Sequence, residues 1–191
     1  MEIQDDFDPP FEAVEPAECR GPVLFNSPHS GRVYPRAFLH ASRLDIAALR
    51  RMFMRLHRDF GAAILIDCHS MPSATGTRDE RPRADFVLGD RYGTSCVPVV
   101  AETIEQTMRE FGYAVSRNKP YAGGFITEHY GNPTTGLHTI QLEINRALYM
   151  DERRYERSAS FARLAGEFEI LSDRLAAIPL EELRPYRAAA E

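Results

Sequence analysis

Ala62-Ala63-Ile64-Leu65-Ile66 is an unbroken apolar run that starts directly after Gly61 and ends on Asp67. Its length suits a strand, and with no polar residue on either alternating face it reads as a central strand covered on both sides. Such a strand needs helices above and below it, and the chain supplies candidates. Leu49, Met52, Phe53, Leu56 and Phe60 recur at helical spacing, which predicts a helix over 42–60 that Gly61 ends; Ser42, with Asp45 three residues on, resembles a capping box. Val97, Val100, Ile104, Met108 and Phe111 form a second stripe, closed by Gly112. Phe161, Leu164, Phe168, Leu171, Leu175 and Ile178 form a third, read as one long amphipathic helix from about residue 151 to 178.

Further strands are expected over 22–26, 85–88 and 113–116, and over 138–145, where Ile140, Leu142 and Ile144 alternate with Gln141, Glu143 and Asn145. Alternating strands and helices predict an α/β fold, a three-layer α/β/α sandwich with a mixed central sheet. At 191 residues, 43% hydrophobic and 27% charged, one domain over residues 1–191 is expected. Residues 1–20, with Pro9-Pro10 and several acids, read as an extended arm.

Net charge is −5, and Lys/Arg clusters stop at Arg50-Arg51 and Arg153-Arg154, which argues against a nucleic-acid partner. The acidic, polar stretch Met1–Asp8 lacks the basic and then apolar pattern of a secretory signal, and no run reaches membrane-spanning length. A cytoplasmic protein with no membrane partner is expected. Cys19, Cys68 and Cys96 show no metal-like spacing and fit reduced thiols, with Cys68 read as a small core residue rather than a nucleophile.

Polar groups interrupt the apolar pattern at three places. His29 follows Val23-Leu24-Phe25 at a turn between Pro28 and Gly31, where its backbone is constrained. Asp67 and His69 are two apart on a strand and share a face, so the carboxylate can orient the ring, bind the same ion or bind a neighbour. The alternative is that Asp67 caps the loop holding Ser70 and His69 bonds a backbone carbonyl. Glu143 lies in the middle of an apolar strand, where desolvation demands a partner or an open site. Gln141 and Asn145 on its face are suited to position a substrate or water; a structural pair between Glu143 and Arg146 is the plainer option.

Two loops have site-like composition. Residues 73–83 carry Arg78, Arg81 and Arg83, and a guanidinium there suits a carboxylate-bearing substrate. Residues 118–124 (Asn-Lys-Pro-Tyr-Ala-Gly-Gly), followed by Glu128-His129-Tyr130-Gly131, resemble a mobile cover, with no phosphate-loop spacing.

Taken in order, Pro28-His29-Ser30-Gly31 with Tyr34-Pro35, Asp67-Cys68-His69-Ser70-Met71-Pro72, Phe86-Val87-Leu88-Gly89-Asp90, the 118–124 segment, and Gln141-Leu142-Glu143-Ile144-Asn145-Arg146 with Tyr149-Met150-Asp151-Glu152 resemble the N-formylglutamate amidohydrolase family. The resemblance covers most of residues 22–152 and implies a zinc-carboxypeptidase-like fold of the phosphorylase/hydrolase type. It further implies hydrolysis of N-formyl-L-glutamate to formate and glutamate, late in histidine degradation. By position it makes His29 and His69 zinc ligands and Glu143 the general base. A family segment that should carry the acidic ligand between about residues 50 and 56 is absent, leaving Asp67 or Asp45 as substitutes. Zinc so held lowers the pKa of bound water to about 7 and polarises the formyl carbonyl. The small-molecule N-acyl amino acid would be met by Arg78, Tyr121, Asn145 and Arg146, an arginine pairing with its carboxylate.

Overall fold

The computed structural model describes residues 12–28, 38–73 and 84–184, and side chains of the first helix from Ala48 onward. The apolar run forms β2 (Ala63–Met71), which pairs in parallel with β1 (Val23–Asn26) on one side and β5 (Leu137–Asn145) on the other. β3 (Phe86–Gly89) lies antiparallel to β5 and parallel to β4 (Val115–Arg117), so the sheet runs β1-β2-β5-β3-β4 and is mixed, as expected.

Both faces are covered, because alternate residues of β2 are all apolar from Ala63 to Ile66 and all fully buried. On one face Phe53 and Leu56 of α1 (Phe38–Phe60) and Tyr130 of α3 (Phe125–Tyr130) pack on Ala63 and Leu65. On the other, Val100, Ile104 and Met108 of α2 (Pro98–Glu110) join Leu171 and Leu175 of α4 (Phe161–Ala176) on Ile64, Ile66, Ile140 and Leu142. Each of these large side chains contributes about 1.5–3 kcal/mol on burial, and that is what holds the three layers together. α5 (Leu180–Leu183) adds Leu183 to the same core. Among the described residues no helix is long and apolar enough to cross a membrane.

Several boundaries differ from expectation. α1 begins at Phe38, so Ser42 and Asp45 lie inside the helix rather than at its cap; their side chains lie outside the described residues. Its other end is as expected, with Gly61 at φ +78° and its N–H on the His57 carbonyl at 2.8 Å. β2 runs four residues past Asp67, because β5 continues to offer it a partner as far as Asn145. The strand expected over 113–116 is shifted to Val115–Arg117, since the Tyr113 N–H bonds the Met108 carbonyl and closes the helix instead.

The third helix starts at Phe161 rather than near 151. A two-stranded hairpin, β6 (Met150–Asp151) with β7 (Glu156–Arg157), occupies the intervening stretch. The Asp151 carboxylate accepts from the N–H groups of Arg153 and Arg154, a local bond that competes with helix formation. Of the expected N-terminal arm, residues 12–20 form neither helix nor strand and residues 1–11 lie outside the described residues.

Candidate active site

β1, β2 and β5 are mutually parallel and end at one edge of the sheet, the edge where open α/β sheets bind ligands. The register gathers polar residues there: Asn26 opposite Asp67, Asp67 opposite Gln141, His69 opposite Glu143, and Met71 opposite Asn145. With a period of two, Asn26, Asp67, His69, Gln141, Glu143 and Asn145 all belong to the face covered by α1 and α3.

Asp67 is buried. Its Oδ1 accepts from the Asn26 side-chain amide at 2.8 Å, and its Oδ2 lies 2.9 Å from His69 Nε2. That hydrogen bond raises the His69 pKa above its ordinary value, against the opposing effect of partial burial. Of the roles open to Asp67 from the sequence, the geometry displays the first, a carboxylate orienting the ring.

Glu143 is buried too, and its Oε1 accepts from Gln141 Nε2 at 2.7 Å. Gln141 Oε1 in turn accepts the Gly124 N–H at 2.7 Å. Gly124 ends the glycine-rich segment, which lies directly on the sheet: a Cβ on Gly89 would stand 2.5 Å from the Gly123 nitrogen. The Arg91 N–H holds the Ala122 carbonyl at 2.8 Å. At the far end, Asn118 donates to buried Asp90 at 2.6 Å and Arg117 pairs with the other Asp90 oxygen. Burial pushes the Asp90 pKa up, but the bonds from Asn118 and Arg117 outweigh it and hold the group below its ordinary value. The segment expected as a mobile cover is therefore anchored at both ends, and it passes directly into α3.

Of the expected substrate-binding residues, Tyr121 is half-buried within this anchored segment. Asn145 Oδ1 accepts the Ala147 N–H at 3.1 Å, capping a short 3-10 turn over 146–148. Arg146 Nε donates to the Ser70 hydroxyl at 3.1 Å on the face opposite Glu143, so the structural pair between Arg146 and Glu143 does not form. A cavity of about 550 Å³ opens at this end of the sheet toward that opposite face, lined by His69 together with Ser27, Ser70, Tyr149, Phe161 and Phe168. Cys68 borders it, packs against the main core, and has its thiol pKa pushed up to about 12 by burial, which fits a packing residue and not a nucleophile. His29 and Arg78 lie outside the described residues.

Asn26 and Asp90 are not among the site residues that the sequence suggests, and Gly124, part of the site-like 118–124 segment, enters as a fixed backbone donor rather than in a mobile cover. Asn26 was signalled by a polar residue ending an apolar strand, as Asp67 does; Gly124 donates through its backbone, which carries no side-chain signal.

Among the described residues no group of three His, Cys, Asp or Glu side chains is arranged to hold a metal ion. What they do offer fits one zinc ligand: an imidazole backed by a buried carboxylate, the usual arrangement behind a metal-bound histidine.

A sequence model of the N-formylglutamate amidohydrolase family matches residues 46–150, which include Asp67, His69, Gln141 and Glu143. The chain belongs to the N-formylglutamate amidohydrolase family. An N-formylglutamate deformylase of Pseudomonas putida is 41% identical over 105 residues, covering 54% of this chain and 39% of the relative. The deformylase of Pseudomonas aeruginosa is 39% identical over 100 residues, covering 52% and 38%. The crystal structure of an N-formylglutamate amidohydrolase from Ralstonia eutropha JMP134 superposes with a TM-score of 0.69 at 38% identity, over 74% of this chain and 52% of that one. The chain thus spans about two fifths of the length of the curated family members it matches. The similarity to a solved family structure also accords with the observed α/β architecture.

Proposed function

We propose that this chain is a metal-dependent hydrolase that cleaves the amide of N-formyl-L-glutamate to formate and L-glutamate, in cytoplasmic histidine degradation. The observation that carries the reading is the register of β2 against β5: in a chain of this family, it sets Asp67-oriented His69 directly beside buried Glu143 at the carboxyl edge of the sheet. Names of relatives support the substrate.

His69 would hold zinc together with His29, with Asp67 fixing the His69 ring or completing the ligand set. Bound there, zinc would supply Lewis acidity that polarises the formyl carbonyl and acidifies water. Glu143 would accept the proton of the attacking water and return it to the departing amine of glutamate. Arg78 would pair with a substrate carboxylate, Arg146 being bonded to Ser70 on the other face of the sheet, and Tyr121 and Asn145 would line its approach.

The deciding experiment measures zinc content and formate release from N-formyl-L-glutamate on the purified chain, with and without a chelator, beside Glu143→Gln. About one zinc per chain, turnover abolished by chelation, and turnover at least ~100-fold lower in Glu143→Gln at unchanged zinc content are expected. No zinc and no turnover would sink the proposal. That outcome belongs to a second reading, a shortened non-catalytic relative that lacks a complete metal site. Turnover of other N-acyl amino acids or peptides in preference to N-formylglutamate would instead mark a different acyl-amino-acid hydrolase or peptidase.

A further inference from the structure

We propose that Gln141 is a positioning residue that ties the glycine-rich segment 118–124 to Glu143 and so fixes which carboxylate oxygen Glu143 presents to the reaction; the inference rests on the reading of Glu143 as the proton-transfer group. A glutamine amide has one end that accepts and one that donates. The Gly124 N–H can only donate, so the 2.7 Å contact assigns the oxygen end of Gln141 to the loop and leaves the NH2 end for Glu143 Oε1, also at 2.7 Å. The orientation of the amide is thereby set by backbone.

Gln141 is buried, so neither bond is easily exchanged for water. The Gly124 peptide is fixed from its other side as well, since its carbonyl accepts the Thr127 hydroxyl at 2.7 Å. Beyond it, the Asp90 carboxylate holds Asn118 and Arg117, and Gly89 brings the sheet to within contact of Gly123. A line of short contacts therefore runs from the loop anchor to the carboxylate, with Gln141 as its last link. With Oε1 engaged by Gln141, Oε2 is the oxygen left to face a reacting water. Misplacing a catalytic group by 1 Å costs on the order of 10²-fold in rate, so a device of this kind has a kinetic consequence.

Two substitutions separate the arms. Gln141→Glu keeps an oxygen for the Gly124 N–H but offers Glu143 no amide donor, whereas Gln141→Leu removes both bonds. Backbone exchange read by NMR should show the Gly124 amide protected in the unsubstituted chain and in Gln141→Glu, and exchanging at least ~10-fold faster in Gln141→Leu. The Gln141 side-chain amide proton should be protected in the unsubstituted chain and lose protection in Glu143→Leu. With N-formyl-L-glutamate, both Gln141 variants should lower kcat by at least ~10-fold while KM stays within about threefold. Unchanged Gly124 exchange in Gln141→Leu, unchanged Gln141 amide exchange in Glu143→Leu, or an unaltered kcat in both Gln141 variants would overturn the proposal. Should the unsubstituted chain release no formate, the functional reading fails, and the two exchange measurements still decide whether Gln141 joins the loop to Glu143.

Discussion

Asp67 has two carboxylate oxygens, and each meets a hydrogen-bond donor: the Asn26 amide on Oδ1 and the His69 ring on Oδ2. Asparagine in its place would turn an NH2 group toward one of those donors, leaving a buried donor facing a donor. The orienting bond to His69 would weaken or the Asn26 bond would. If His69 binds zinc, Asp67→Asn should therefore lower zinc affinity by about 10–100-fold while the fold persists, measured by competition with a chelator and circular dichroism. Unchanged affinity would show that the ring needs no carboxylate to hold it. At this scale the sequence was informative wherever a period of two decided the matter. The shared face of Asp67 and His69, and the polar face of Gln141, Glu143 and Asn145, follow from strand geometry alone. Asn26 lies 41 residues from Asp67 and Gly124 17 residues from Gln141, and neither pairing has any local trace in the sequence.

Among elements, the join between β3 and the 118–124 segment is the most exacting. Gly89 has the Gly123 nitrogen where a Cβ would stand, and Gly123 itself adopts φ +110°, a left-handed conformation that other residues rarely enter. Gly89→Ala must push backbone away, not a flexible side chain, and should cost about 1–3 kcal/mol of stability. The same displacement should lower turnover of N-formyl-L-glutamate, because the Gly124 bond to Gln141 lies one residue beyond the collision. Urea denaturation and steady-state kinetics on the variant check both; wild-type values in each would mean that the loop does not rest on β3. Elements with strong periodicity were legible in the sequence: the α1, α2 and α4 stripes and the alternation of β5 arise from burial of one face, and burial patterns side chains regularly. The hairpin over 150–157 was not, because it depends on Asp151 binding the backbone two and three residues on, a short-range competition that leaves no apolar period. The start of α1 was missed for a related reason, since a plausible cap at Ser42 lies inside a helix that begins at Phe38.

Across the whole molecule, three elements on the α2/α4 side meet at His138. This buried residue at the start of β5 accepts the Val97 N–H on Nδ1 at 3.4 Å, just ahead of α2, and donates from Nε2 to the Leu183 carbonyl of α5 at 2.7 Å. Those two contacts require one neutral tautomer. Burial lowers the His138 pKa below its ordinary 6.5, partly offset by the bond to Leu183, with nearby His57 lowering it further. A histidine depressed in the folded state contributes its full stability above pH 6.5, where both states are neutral. As the pH falls below 6.5 the unfolded chain takes up a proton that the folded chain refuses, so stability declines until the depressed pKa is passed. His69, whose pKa is raised, acts in the opposite window: its contribution is complete below 6.5 and is lost as the pH rises through its folded value. Asp90, held below its ordinary 3.8, begins to weaken the fold only in stronger acid. Among the described residues with a shifted pKa, His138 is thus the one whose contribution declines just below pH 6.5. Denaturation of the zinc-free chain should show stability falling there with a slope of up to about 1.4 kcal/mol per pH unit, the limit for one proton. In His138→Gln, which carries no titrating group, that slope should vanish while the loss in stronger acid remains. A slope that survives the substitution would assign the acid sensitivity to some other group and remove His138 as the point at which protonation loosens the joint between β5, α2 and α5.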